Sequence, residues 1–456
     1  MITNIDFFTA IDLVSSIGWL VIFIAAAHII YSKNKHKEEY KFYLPHFYWK
    51  VVMSLAFALI YIIVYGGGDT TAYWQGAIKL NKIFYDSPSN YVTELMKTPV
   101  QDQYASYFTA EIGRPPRWIY REPNSWFVCK VASVFSFFTF GSFITLNLFF
   151  GVVSGWISWR FFRLMNKITN IQTRFLALAF LFIPSVGFWC SGLSKDTIVL
   201  CGIYGVVGTF FHLLYFRKQQ PLFFLLKMAA FSYILFSTRP FVLITIFFPI
   251  CILLIFLLNK NKPFIIRFLT RIIGTGISLG VLVFYLTSSG VFGEFSADKI
   301  LQTAEVIQTD FENNETYTGK KYDLGIEDFS STSMISVFPL AVATAIFRPF
   351  IWEAGNILMI LNGLESLFLL YFTFRIIWTG RNNNSLADLF KTDYFIFSII
   401  YVLILAYFVG FTSGLFGVLA RLKAPILPFF VFILVYKMTK EKDELLTDSA
   451  SVEVKD

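Results

Sequence analysis

Apolar runs long enough to cross a bilayer recur along most of the chain, separated by short polar or basic connections. The pattern predicts spans over Phe8 to Tyr31, Trp49 to Tyr65, Ile144 to Phe162, Phe175 to Cys190, Thr197 to Tyr215, Leu222 to Phe236, Phe241 to Leu258, Ile266 to Leu286, Ala354 to Trp378, Phe395 to Phe411 and Ala424 to Tyr436. The expected architecture is therefore an all-α, polytopic bundle of about eleven transmembrane helices. Two stretches break the pattern, a polar and aromatic one at 66–125 and a polar and acidic one at 288–335. Neither is flanked by a linker that would set it apart, so residues 1–438 read as a single transmembrane domain with two loops, followed by a solvated tail at 439–456. The first apolar run follows Asp6 without a basic flank or a small-residue cleavage pattern, which predicts a retained helix.

Basic residues decide the orientation. Lys33 to Lys41, Arg160 to Arg174, Arg217 with Lys218, Lys260 to Arg271, Arg375 with Arg381, and Lys437 to Lys442 all fall on one side if the spans alternate. That side is assigned to the cytoplasm, with the N-terminus outside and the C-terminus inside. Both long loops then lie outside. The alternation holds only if Trp126 to Phe140 does not cross, and that stretch is expected to lie in the outer interface with other helices of the first loop.

Composition sharpens the class. With 56% hydrophobic, 19% aromatic and only 15% charged residues, the chain has too much apolar surface for one soluble core, so a multi-pass protein of the cell (inner) membrane is expected. The net charge of +8 then follows from basic loops facing anionic headgroups and needs no nucleic-acid partner. Cys129, Cys190, Cys201 and Cys251 sit in or beside apolar segments without paired or ligand spacing and read as small buried hydrophobes. His28, His36, His46 and His212 are scattered, which disfavours zinc. No phosphate-binding glycine loop or nucleophile elbow is present, which disfavours ATP-driven work.

The candidate chemistry sits in charges that flank apolar runs on the outer side. Gly66-Gly67-Gly68-Asp69-Thr70-Thr71-Ala72-Tyr73-Trp74 ends one helix, turns on glycines and starts another, capped by Asp69 or Thr70, whose apolar face is Tyr73, Ala77, Leu80 and Phe84. Asp69 is either that cap or a carboxylate able to take a proton from a hydroxyl or hold a divalent cation. In Ser191-Gly192-Leu193-Ser194-Lys195-Asp196 the carboxylate sits near a helix N-terminus, where the helix dipole favours it and Lys195 can neutralise it. Arg239, Arg348, Arg421 and Lys423 run against the positive-inside bias, so each needs a partner: a lipid headgroup, a carboxylate such as Asp69, Asp196 or Glu353, or a phosphate gripped bidentately. Arg114, Arg117 and Arg121 add to the same field or are simply solvated. Glu365 is placed inside a span, as a functional acid or one paired with a neighbouring Ser, Tyr or Lys.

An acidic residue in a long first outer loop, a second acid in the next outer turn and a later outer loop before the last helices resemble the GT-C class of integral-membrane glycosyltransferases. The matching positions are Asp69 with Tyr73, and Lys195-Asp196. The chain departs from the class by one extra N-terminal helix, by a single Asp where the class has an acidic pair, and by the lack of a large extracytoplasmic domain. The resemblance implies transfer of a sugar from a polyprenyl-phosphate or pyrophosphate donor to a glycan, lipid or protein acceptor on the outer face. Asp69 would be the base, while Asp196 would position the acceptor or help hold a divalent cation. Tyr73, Lys195, Arg239, Arg348, Glu353, Arg421 and Lys423 would make up the substrate-binding set, with Tyr73, Trp74, Trp118, Trp189 and Trp352 as sugar-stacking candidates or as an interfacial belt. A weaker resemblance, to O-antigen polymerases and ligases, rests on helix count and on Arg348 behind the late loop, and it would put the arginines ahead of Asp69. A transporter or flippase, and a non-catalytic subunit of a membrane complex, are the readings outside enzymes.

Overall fold

In the computed structural model the described residues are 9–99, 103–216, 221–259, 336–379 and 392–436, with isolated positions at 263, 266, 321, 322 and 324. Their regular structure is helical, joined by turns and irregular segments, with an isolated bridge between Lys321 and Leu415. The chain divides into two compact units, Met1–Pro240 and Phe241–Asp456, a finer division than one domain over 1–438. The predicted span at Ile266 to Leu286, most of the 288–335 loop, the 382–388 connection and the 439–456 tail lie outside the described residues.

The first unit begins with α1 (Ala10–Asn34), opened by a capping box in which Thr9 and Asp12 exchange hydrogen bonds. Few of its side chains are covered, and Ile11, Val14, Ile17 and Val21 stand exposed, as expected of a helix that faces lipid. Next come α2 (Tyr43–Ile63), then α3 (Asp69–Asp86), α4 (Pro88–Met96), α5 (Arg117–Arg121) and α6 (Pro123–Ser136). These are followed by α7 (Phe143–Ile168), α8 (Thr173–Leu181), α9 (Pro184–Trp189), α10 (Lys195–Tyr215) and α11 (Pro221–Thr238). The second unit holds α12 (Pro240–Leu258), almost wholly, then α13 (Phe338–Phe347), α14 (Ile357–Thr379), α15 (Asp393–Thr412), α16 (Phe416–Leu422) and α17 (Leu427–Tyr436).

Among the described residues seven helices are long and apolar enough to cross a membrane, or eight if α16 and α17, bent by 64° at their break, count as one. The protein is thus a membrane-embedded helical bundle. One predicted span has a different form: Phe175 to Cys190 is broken between α8 and α9, because Pro184 cannot continue a helix and opens the next one instead. The predicted interfacial stretch is α6, whose 14 residues rise about 21 Å, short of a hydrocarbon core of about 30 Å.

Helices α3 to α6 form a layer with its own core, in which Tyr73, Ala77, Leu80, Trp126 and Cys129 are buried against Leu146 and Phe150 of α7 and Leu193 before α10. Phe84, the last residue of the predicted apolar stripe, is exposed. At the centre Glu94 is fully buried, accepting from Trp126 Nε1 (3.1 Å) and Tyr107 Oη (3.0 Å). Burial pushes this carboxyl above its usual range, opposed by those two hydrogen bonds and by Lys130. Lys130 in turn donates to the carbonyls of Leu95 and Lys97, closing the end of α4 with a cation, where the helix dipole favours one. Below the layer, small residues let α2 and α7 approach: a Cβ on Gly151 would lie 2.6 Å from Ser54 Cβ and 2.9 Å from the Ser191 carbonyl.

Candidate functional site

Three chain segments deliver charge to one end of the first unit. Gly66, Gly67 and Gly68 all have positive φ (63°, 126° and 129°), so the turn after α2 reverses within three residues at no steric cost. Gly68 is the N-cap position of α3, where its N–H donates to Thr71 Oγ1 and its carbonyl accepts from the same hydroxyl. This corrects the expectation that Asp69 or Thr70 caps the helix: Asp69 is the first helical residue, half-buried, with Lys195 in electrostatic reach.

The second segment is the α9–α10 turn. Ser194 caps α10 by accepting from Thr197 N, the Leu193 N–H donates to Asn147 Oδ1 of α7 (2.8 Å), and Thr197 Oγ1 donates to the Gly192 carbonyl (2.6 Å). These bonds fix Lys195 and Asp196 in the first turn of α10, about 100° apart around its axis. Asp196 points inward with no exposed surface and meets Arg239 Nη2 at 2.7 Å, the third segment, just after α11. Lys195, on the neighbouring face, donates to Glu122 Oε1 at 2.6 Å, within electrostatic reach of Asp69 and Arg239. Burial alone would raise the Glu122 carboxyl, but the Lys195 ammonium, the Ser125 hydroxyl at 2.5 Å and the Arg239 guanidinium outweigh it and hold it below its usual range.

Asp69, Lys195, Asp196 and Arg239 of the sequence reading are thus brought together, and Glu122 joins them. Carboxylates outnumber cations by one in this set. Such a balance suits binding a hydroxyl, taking its proton or holding a cation better than it suits gripping a bare phosphate.

Comparison with protein-family models, curated proteins and solved structures gives no match to this chain.

The second unit carries a separate cluster. Glu353 takes Arg348 bidentately, with Nε at 2.9 Å from Oε1 and 3.2 Å from Oε2 and Nη2 also on Oε1, and its Oε2 further accepts the Phe350 N–H at 2.8 Å. The guanidinium lies against the rings of Tyr322 (5.1 Å) and Phe416 (4.9 Å). Lys423, fully buried between α16 and α17, donates to Ser366 Oγ (2.7 Å) and to the Arg348 carbonyl (3.0 Å), with Glu365 in electrostatic reach. Glu365 therefore has a lysine beside it inside the bundle. Arg421 closes α16 and is half-buried. Each of the two best-placed arginines, Arg239 and Arg348, holds a carboxylate of this chain.

The aromatic candidates divide. Tyr73 and Trp189 are buried, which puts their rings inside the packing, and Trp74 is half-buried with Nε1 donating to the Gly141 carbonyl at 2.7 Å. Trp118 (52% exposed) and Trp352 (71% exposed, stacked on Phe350 at 4.8 Å) present accessible faces. Among the described residues no three His, Cys, Asp or Glu side chains gather closely enough to hold a metal ion.

Sequence reasoning missed Glu122 and Lys50. Glu122 sits in an ordinary polar run, and only the packing of α6 shows that it faces Lys195. Lys50 is buried in α2, donating to Ser154 Oγ (3.1 Å) and to the Cys190 carbonyl (3.0 Å) at the end of α9, one helical turn from buried His46. A lysine followed by a long apolar run was the available signal; a span drawn from Trp49 leaves it at the edge.

Proposed function

We propose that the protein is a glycosyltransferase of the outer face of the cell (inner) membrane, moving a sugar from a polyprenyl-(pyro)phosphate donor to a glycan, lipid or protein acceptor. Asp69 accepts the proton of the acceptor hydroxyl. Asp196 and Arg239 hold the floor of the site as a buried ion pair, and Lys195 with Glu122 sets the field around Asp69. The observation that carries the reading is the meeting of Asp69, Lys195, Glu122, Asp196 and Arg239 at one end of apolar helices, from segments far apart in sequence. The orientation set by the basic connections puts that end outside, with the chain starting outside and ending in the cytoplasm.

The test compares two substitutions in membranes that carry labelled lipid-linked sugar. Asp69→Asn is expected to lower transfer by about 10²- to 10⁴-fold, the usual worth of a positioned general base, while leaving the amount of folded protein unchanged. If Asp69→Asn transfers normally and Arg348→Ala abolishes transfer, the polymerase or ligase reading replaces this one.

A second reading, transport, draws on Lys50. Lys50 lies inside a span with a hydroxyl and a carbonyl as its hydrogen-bond partners among the described residues, and an ionisable residue so placed is a recurrent feature of substrate and proton pathways. Uptake of labelled substrate by vesicles containing the purified protein alone, lost in Lys50→Met, would favour it. No uptake with intact transfer would remove it.

A further inference from the structure

A second charged place lies at the other end of the same helices. Along α10, His212 follows Asp196 by sixteen residues, about 24 Å at 1.5 Å per residue, which is most of the way across a hydrocarbon core of about 30 Å. There α7, α10 and α11 enclose a cavity of about 350 Å³. Gly205 and Gly208 of α10 form part of its wall, and a Cβ on Gly205 would lie 2.2 Å from the Phe231 ring, so that glycine is what lets the ring of α11 pack against α10 beside the cavity.

Its polar lining is basic. Arg160 comes from α7, His212 from α10 and Lys227 from α11, each within electrostatic reach of the others. No carboxylate pairs with any of the three among the described residues. Aromatic faces brace each group: Arg160 lies over Trp156 (5.2 Å), Lys227 over Phe231 (5.8 Å), and the His212 ring stacks on Phe224 at 4.1 Å and 17°. The His212 Nδ1 is buried without a hydrogen-bond partner among the described residues. The two cations, Arg160 and Lys227, held together beside the His212 imidazole at the edge of the apolar zone, repel one another unless an anion sits between them.

We propose that this cavity binds the phosphate of an anionic phospholipid headgroup in the leaflet opposite the Asp69 and Asp196 end. The apolar half of the lining takes the first carbons of the acyl chains, and the basic half takes the phosphate, as basic pockets between transmembrane helices do at the membrane surface. A free phosphate has the same charge chemistry but gains nothing from the surrounding phenylalanines.

The test is a thermal-unfolding titration of the full-length, delipidated protein in neutral detergent with three probes: short-chain phosphatidylglycerol, short-chain phosphatidylcholine and inorganic phosphate. Phosphatidylglycerol is expected to raise the Tm saturably, with phosphatidylcholine and inorganic phosphate having little effect at the same concentration. In the double variant Arg160→Gln/Lys227→Gln the apparent affinity should fall roughly tenfold or more, whereas Lys227→Arg, which keeps the charge, should retain it. An equal shift from phosphatidylcholine, or an unchanged affinity in the double variant, overturns the site. A shift from inorganic phosphate as large as that from phosphatidylglycerol overturns the lipid assignment.

Discussion

Asp196 and Arg239 form a pair whose cost of disruption is large because neither end has water to fall back on. Replacing Asp196 with Asn leaves a guanidinium that is 12% exposed without its counter-charge, and breaking such a pair costs about 3–5 kcal/mol. A clear fall in Tm is expected for Asp196→Asn, measured in detergent. The double variant Asp196→Leu/Arg239→Leu should regain most of that stability, since two apolar groups of similar size replace a buried ion pair at little net cost, but it should not regain transfer. Glu122 behaves differently because its side chain is about half exposed (51%) and answers to solvent pH. Its folded-state pKa lies below its unfolded value, so its contribution is complete above the ordinary carboxylate range near pH 4.3 and is lost as pH falls through the lowered value. The acid limb of a Tm-against-pH curve should therefore be shallower in Glu122→Gln than in the parent protein. The charged residues themselves were legible in the sequence as charges on the wrong side of apolar runs. Their pairing was not: Lys195 stands next to Asp196 in sequence, yet adjacent residues on a helix point apart, so it pairs with Glu122 and Asp196 pairs with Arg239.

At the scale of elements, the glycine turn after α2 holds its shape because the α2–α7 contact and the α9–α10 turn are close-packed. Gly151 sits where α7 meets both Ser54 of α2 and the Ser191 carbonyl. Gly151→Val has to push at least one of these away, at about 1–3 kcal/mol, and the displaced carbonyl belongs to the turn that presents Lys195 and Asp196. Loss of transfer together with a lowered Tm is expected for Gly151→Val, against a milder effect for Gly18→Val in α1, where nothing lies within 4 Å of the added carbon. Long apolar helices such as α1, α11, α12, α14 and α15 were readable from hydrophobicity alone because lipid imposes the same demand on every residue of a span. The break between α8 and α9 and the bend between α16 and α17 were not, since a hydrophobic run looks continuous whether or not the helix inside it is. Pro184 was the visible sign of the first break.

For the molecule as a whole, apolar composition and periodicity made the membrane bundle legible, but charge position alone did not decide between a catalytic site and a set of internal ion pairs. Arg348, clamped by Glu353, and Arg239, held by Asp196, show why: a guanidinium at the end of an apolar helix meets the same need for an anion whether that anion is a substrate or a neighbouring carboxylate. The half-buried Asp69 beside Lys195 is the group that separates the two accounts. The most direct measurement supplies the purified, reconstituted protein with polyprenyl-phosphate-linked radiolabelled sugars and a mixture of glycan and lipid acceptors. It then follows whether label leaves the polyprenyl phosphate. Release into an acceptor by the parent protein, and its loss in Asp69→Asn at unchanged Tm, is the result predicted here. Donors that remain intact with the parent protein, or turn over equally well with Asp69→Asn, would contradict it.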